Sequence, residues 1–436
     1  MEKQNELKAP EAVEEKRDIY KLSRWLHIIE AALEYFVSIL VAGAYLANLT
    51  AAIGLSDSLT GILTSFVSLG CSFQIVAIFL ANKRPVKRWV TILHIVNQTF
   101  FALVYFVPFI NVPKTVKIVG FILLLLSGYA INNIVYSPRM NWQMCLVDDH
   151  KRGSFTATKE MISLIGGMIF SFAIGSVIDH YEAAGDMNKA FIFCGVGLFV
   201  LMILHALSLF FCKEKPVENI EKTSTKQMLS GLIKDKNLFK VILVSVLWSV
   251  ASHVSTPFYG TYQRGELGFS MKFISLLAAV YAIVRSLASK PLGKFADKYS
   301  FSSMLNICFT LAAIGFLINT FSVPKNGKIV YTIYYAFYAM SMGGINSAAV
   351  NLIYDYVDKD NRVGALAVRG LFAGLAGFFT TLVFSPLVDY IQGQGNSFLG
   401  MNVYAQQVLS AISFLLVVGV LIYNNLVLKR VKNKRD

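Results

Sequence analysis

Charge is scarce in this chain. Only 15% of its 436 residues are Asp, Glu, Lys or Arg, while 55% are hydrophobic. Average soluble domains carry roughly a quarter charged residues, so a water-facing globule is excluded. Cysteine is rarer still: Cys71, Cys145, Cys194, Cys212 and Cys308 stand apart, with no C-x-x-C spacing. They read as packing residues, and neither a disulfide framework nor a metal site is expected. No phosphate-binding G-x-x-x-x-G-K-S/T loop is present, which argues against direct nucleotide-driven work. Neither H-E-x-x-H nor a pair of carboxylates in mid-run occurs, so an intramembrane enzyme would lack its acid–base or metal set, and no cofactor is expected. The first 26 residues hold five glutamates (Glu2, Glu6, Glu11, Glu14, Glu15) and cannot serve as a signal peptide.

What the chain has instead is apolar runs. Twelve of them cover 27–54, 58–81, 89–111, 115–138, 157–180, 188–211, 238–260, 271–293, 302–323, 329–352, 364–390 and 403–427. Each can cross ~30 Å of hydrocarbon as a helix. They fall six and six about a polar stretch, which predicts a cytoplasmic segment 1–26, a six-helix bundle 27–212, a cytoplasmic linker 213–237, a second bundle 238–428 and a tail 429–436. The expected fold class is all-α integral membrane with twelve transmembrane helices. Net charge is +14, but 32 of the 40 Lys and Arg belong to the side of the termini, 7 to the opposite loops, and Arg285 lies within a span. This imbalance predicts both termini in the cytoplasm by the positive-inside rule. The excess charge needs anionic lipid at most, and no nucleic acid. The Phe-, Lys- and Asn-rich style suggests a bacterial plasma membrane. Tyr20–Ile29 is expected as a short helix on the inner surface with Trp25 at the headgroups, and Tyr259 and Tyr262 at the outer interface.

The two halves echo each other at an offset of 210. Ser137, Asn141, Val147, Asp148, Arg152, Ala157, Gly167 and Asp179 recur as Ser347, Asn351, Val357, Asp358, Arg362, Ala367, Gly377 and Asp389, and Lys159 answers Arg369. Eight identities in 43 positions, three of them charged, point to two fused repeats.

Ahead of the ninth run stands Gly293-Lys-Phe-Ala-Asp297-Lys298-Tyr-Ser300-Phe-Ser-Ser-Met-Leu305. It resembles the G-x-L-A-D-R/K-x-G-R/K-R/K-x-x-L signature of the major facilitator superfamily, with Ser300 in place of the second glycine and Phe301-Ser302 in place of the basic pair. The equivalent first-half stretch, Ile78 to Arg88, keeps Lys83 and Arg84 but has Asn82 where the acid would be. Asp148-Asp-His-Lys-Arg152-Gly153 and Asp358-Lys-Asp-Asn-Arg362 resemble the family's D-x-x-x-R-G loops. The resemblance covers about residues 24–430. It implies two pseudo-symmetric six-helix bundles that rock about a midplane site, with spans 1, 4, 7 and 10 lining the cavity. Gating is then expected from Gly293, Asp297, Lys298, Asn82, Lys83, Asp148, Arg152, Asp358 and Arg362. The alternative for these residues is plain interfacial charge. Span 5 reads Gly166-Gly167-Met-Ile-Phe-Ser-Phe-Ala-Ile-Gly175, without the proline that drug–proton antiporters of the family carry there. That lowers the drug-efflux reading.

Arg285 lies about 14 residues, roughly 20 Å, into its helix. An ionisable group at that depth is costly. It either faces the cavity, paired with an anionic substrate or a carboxylate, or ties to backbone carbonyls near the inner mouth. Glu30 and Glu34 share one face of span 1. Glu34 is a candidate proton carrier, with pairing to Arg24 or another basic residue as the plainer reading. The cavity candidates are Trp248, Ser252 and His253 in span 7, Asn132 and Asn133 in span 4, and Asn346 and Ser347 in span 10. Gln74 and Asn48 rank second. His253 is either a substrate or proton ligand, or a satisfied hydrogen-bond partner. His94, Asn97, Gln98 and His205 are read as packing groups. The expected function is a monomeric secondary transporter for a small organic solute, coupled to a proton or sodium gradient or moved by the solute's own gradient. A drug-efflux antiporter and a non-transporting membrane receptor are the alternatives.

Overall fold

The computed structural model describes residues 18–80, 85–148, 152–215, 235–356 and 362–431, without the side chains of 78–79, 152–154, 157, 354–356 and 362–363. The chain is an all-α integral membrane protein of twelve spans, with one short β-hairpin (Ser397–Phe398 and Met401–Asn402) joining the last two. Spans 3 to 6 are Val86–Val104, Lys114–Cys145, Arg152–Ala183 and Met187–Phe211. Spans 8 to 12 are Met271–Lys298, Phe301–Asn319, Gly327–Tyr356, Arg362–Gly393 and Ala405–Leu426. Span 7 runs from Lys236 through a π-helical turn to Glu266. Spans 3 and 10 are not among the helices that length and hydropathy alone mark as membrane-crossing. His94, Asn97 and Gln98 lie inside the first, and a row of tyrosines inside the second.

Spans 1 and 2 depart from straight helices. Span 1 is Lys21–Leu40 followed by Gly43–Ile53, bent by 43° at the joint. Gly43 adopts φ +54°, which only glycine takes freely, and its carbonyl lies against Gly260 so closely that any side chain at 260 would collide. Span 2 is three short helices in line, Asp57–Thr64, Phe66–Ser72 and Gln74–Leu80, where serine and threonine hydroxyls turn back onto the chain. Tyr20–Ile29 is not a separate surface helix: the helix starts at Lys21 and continues unbroken into span 1, with Trp25 49% exposed on its side. Span 4 runs through Pro138 to Cys145, seven residues beyond the end expected at 138.

Each half has its own core. One gathers Leu46, Leu49, Phe101, Phe121 and Leu125, and the other Leu238, Phe309, Phe316, Tyr331 and Tyr334. Tyr259 and Tyr262 pack edge-on against Tyr331, Tyr334 and Tyr404 of the second half, and Tyr262 is 3% exposed. The halves meet where span 2 lies along span 11 and span 5 along span 8. Lipid is as apolar as a leucine side chain, so packing and polar contacts must hold helices together.

Candidate functional site

An even number of spans brings the first and last described residues, Asp18 and Val431, to one side of the bundle, here the terminal side; the opposite side is the far side. Polar contacts between the halves, among the described residues, lie at mid-depth or on the far side. Arg264 Nη2 donates to both carboxylate oxygens of Glu182 (2.6 and 2.7 Å), its Nε to Asn48 (2.8 Å) and its Nη1 to the Phe269 carbonyl (2.6 Å). Asp179 at the end of span 5 accepts from the backbone N–H of Met271 and Lys272 at 2.7 and 2.8 Å, which satisfies the open start of span 8. Deeper in, Ser171, Ser275 and Tyr45 share hydroxyl bonds. On the terminal side Asp297 is exposed and makes no hydrogen bond or ion pair among the described residues, and Lys298 lies over the Tyr299 ring. This conformation is fastened on the far side.

Two cavities open between the halves. The first, of about 260 Å³, is lined by Tyr35, Tyr45, Ser171, Tyr259, Gln263 and Tyr335. The second, about 330 Å³, lies nearer the terminal side among Trp248, Ser252, His253, Asn346 and Arg369, with Ser68 and Cys71 of span 2 facing them. Four sequence candidates therefore share one cavity with a cation that the sequence reading passed over. Arg369 belongs to span 11, and its Nε has no hydrogen-bond partner.

His253 is tied at both ring nitrogens. Its Nδ1 donates to the Ser249 carbonyl, 2.9 Å away, and its Nε2 shares a hydrogen bond with the Ser68 hydroxyl across the half boundary. Gln74 donates to Asn133 (3.0 Å), which in turn donates to the Tyr129 carbonyl (2.9 Å), while Asn132 Oδ1 is buried without a partner. Gln74 also approaches Gly370, next to Arg369. Ser347 accepts from Asn351 on its own helix and lines neither cavity. Arg285 is half-buried beside Tyr281 and Tyr35, close enough for its charge to act on both hydroxyls, and no carboxylate pairs with it among the described residues. Gly293 is part of span 8, and Asp148 is exposed beyond the end of span 4. Asn82, Lys83 and Asp358 lie outside the described residues, as do the side chains of Arg152 and Arg362.

The first half holds a sealed ionic cluster. Glu30, 0% exposed, accepts from Arg139 Nη1 (2.8 Å) and His205 Nε2 (3.0 Å) at one oxygen and from Gln143 (2.9 Å) at the other. Arg139 also pairs with Glu34 and bonds His94, Gln98 bonds His205, and Lys159 donates to Gln143 at 3.1 Å. The partner of Glu34 is thus a buried arginine of span 4, while Arg24 pairs with Asp18. Ligand atoms of Glu30, His94 and His205 lie within 4.8 Å of one another, as a metal site requires. The Arg139 guanidinium bonds that same Glu30 oxygen and His94 nitrogen, so a fixed positive charge already serves them. Arg139, Lys159 and Arg369 stand at or just inside the terminal-side edges of the apolar runs for spans 4, 5 and 11, where a basic residue reads as an ordinary interfacial charge. The Lys159–Arg369 echo was the available signal for two of the three.

A single sequence profile decides the family. That of the Major Facilitator Superfamily matches residues 29–381 and 242–434. The chain belongs to the major facilitator superfamily. No curated protein sequence matches it. The fold of this major facilitator protein is similar to that of the nucleoside transporter NupG (TM-score 0.68, 13% identity, 92% of this chain and 98% of that one). It is similar too to a D-xylose-proton symporter (TM-score 0.68, 15% identity, 92% and 97%) and an auto-inhibited POT family peptide transporter (TM-score 0.70, 10% identity, 95% and 98%). At such identities the likeness shows the twelve-helix fold of secondary transporters.

Proposed function

We propose that this protein is a proton-coupled secondary transporter for a small, negatively charged polar solute, moved by alternating access. The observation that carries the reading is the second cavity: a guanidinium with an open Nε, an indole, a histidine and an amide around about 330 Å³ at the boundary of the halves. That volume is at the lower end of ligand pockets, which run from roughly 300 to 1,000 Å³. A buried guanidinium favours a carboxylate or phosphate, which it can grip with two parallel bonds. Trp248 offers an apolar face and Asn346 and Ser252 offer neutral hydrogen bonds, so the cargo has an apolar body as well as an anionic end. Arg285, beside the first cavity, supplies a second positive charge along the same boundary.

Glu34 is the proposed proton carrier. It is 21% exposed and shares Arg139 with the fully sealed Glu30, so protonating Glu34 releases one side of the guanidinium without opening the cluster. The far-side contacts break and re-form during the cycle, and Asp297, exposed on the terminal side, joins a latch there when that face closes. The plasma-membrane location, with both termini in the cytoplasm, belongs to the same proposal.

Purified protein in proteoliposomes tests the reading. Uptake of radiolabelled small carboxylates and phosphate esters should rise with an imposed proton gradient. Arg369→Ala should abolish the preference for anions, and Glu34→Gln should abolish the response to the gradient. Accumulation that ignores a pH gradient would remove the proton from the scheme, and a panel in which only neutral solutes move would remove the anion.

A further inference from the structure

The far-side junction contains a second constellation, separate from both cavities and from the ionic cluster. Asp57 opens span 2, Glu266 ends span 7, Gln392 lies near the end of span 11 and Gln406 in the first turn of span 12. The Gln392 amide nitrogen donates to Asp57 Oδ2 at 2.8 Å and to Glu266 Oε1 at 3.2 Å, so two carboxylates from opposite halves share one nitrogen. Asn396 reaches the other oxygen of Glu266 at 3.4 Å. Asp389 adds its charge beside Asp57. No Lys or Arg forms an ion pair with any of these three acids among the described residues. Arg264, two residues from Glu266, is taken up by Glu182, Asn48 and the Phe269 carbonyl.

An independent observation falls at the same place. Gln406 is 3% exposed, its Nε2 donates to the Ser255 carbonyl at 3.3 Å and to Ser410 Oγ at 3.5 Å, and its Oε1 is buried with no hydrogen-bond partner among the described residues. Gln406 lines a small cavity of about 10 Å³ together with Asp57, Glu266 and Gln392. That is room for roughly one water-sized sphere. A buried amide oxygen left unbonded is unfavourable, and two adjacent carboxylates repel each other.

We propose that this junction is a binding site for a hard divalent cation, calcium in the first instance, held by the carboxylates of Asp57 and Glu266 and the amide oxygen of Gln406. All the donors are oxygen, which selects hard cations and not zinc or copper. The set is irregular and drawn from three spans, which suits the flexible coordination of calcium better than the strict octahedron of magnesium. Because Asp57 comes from one half and Glu266 and Gln406 from the other, the ion ties the halves together on the far side. The repeat accounts for the difference between this junction and its counterpart among the described residues. Asp179 neutralises the helix start of span 8, whereas its echo Asp389 meets span 2, whose start already carries Asp57 and is capped by Ser56.

The test uses the full chain in detergent, stripped with chelator, and follows thermal unfolding while calcium chloride is added. Magnesium chloride and sodium chloride at matched ionic strength run beside it. Calcium should raise the midpoint saturably, with half-effect in the range of about 10⁻⁴ to 10⁻³ M typical of weak oxygen sites. Asp57→Asn, Glu266→Gln and Gln406→Leu should each shift the half-effect by roughly 10-fold or more. Glu182→Gln, which breaks the neighbouring Arg264 pair and removes no ligand, should keep the response. Direct ⁴⁵Ca binding to the same variants covers any that unfold too easily to titrate. A wild-type midpoint indifferent to calcium overturns the proposal, as does an equal rise with sodium or an equal rise in Asp57→Asn. So does stabilisation by acid alone with no calcium response, the signature of two carboxyls sharing a proton.

Discussion

Lys159 and Arg369 occupy equivalent positions of the repeat, yet their surroundings differ. Lys159 is 9% exposed, donates to Gln143 and sits behind a carboxylate network in which Glu30, Glu34 and Arg139 answer one another. Arg369 stands at a cavity wall with an unbonded Nε and no carboxylate partner among the described residues. The first half closes its charges into a paired network. The second leaves Arg369 at the wall of a cavity between the halves. A shared scaffold therefore holds inner charge in two settings, and the proposed function rests on that difference.

The sharpest way to break this contrast is to delete the two arginines in turn. Arg139→Ala strands Glu30 in the interior and should cost about 3–5 kcal/mol, read as a lower unfolding midpoint. Arg139→Gln combined with Glu30→Gln should cost clearly less than Arg139→Ala alone, because no charge is stranded. Arg369→Ala should leave stability within about 1 kcal/mol, since it removes an unpaired cation, while anion uptake falls roughly 10- to 100-fold. Equal destabilisation by Arg139→Ala and Arg369→Ala would erase the distinction between the halves.

A smaller effect is expected at the far-side fastening. Arg264→Ala should weaken the closed far side by about 1–2 kcal/mol, with Glu182 45% exposed and its share of the bond partly screened. Labelling of a cysteine placed at Thr64, on the first cavity, should speed up several-fold from that side. The smallest effect belongs to Asp297. Because it is exposed and unpaired here, Asp297→Ala should leave unfolding within about 0.5 kcal/mol of the parent. A loss of stability there would mean that the terminal-side latch is engaged in this conformation too.

The sequence made the twelve spans readable because apolar length is a one-dimensional signal. Its errors lie at the ends. Pro138 and Arg139 look like the close of span 4, but the helix continues because Glu30 and Glu34 compensate the charge inside the bundle. Trp248, Ser252, His253 and Asn346 were legible as polar residues on the spans that the family resemblance puts around the cavity, and they do share one. Ser347 lies one residue further round the same helix and bonds Asn351 instead. The far-side contacts were invisible. Asn48, Glu182 and Arg264 are distant in sequence and meet only once the halves dock, with the Asp179–Asp389 echo as the one trace of that surface.

One measurement bears most directly on the central claim that the second half offers its cation to the cargo. Proteoliposomes with wild-type protein and with Arg369→Ala are given a carboxylate solute and its neutral amide as a matched pair. The account predicts that the wild type favours the carboxylate and that the variant transports the two alike. An unchanged preference for the carboxylate in Arg369→Ala would contradict it.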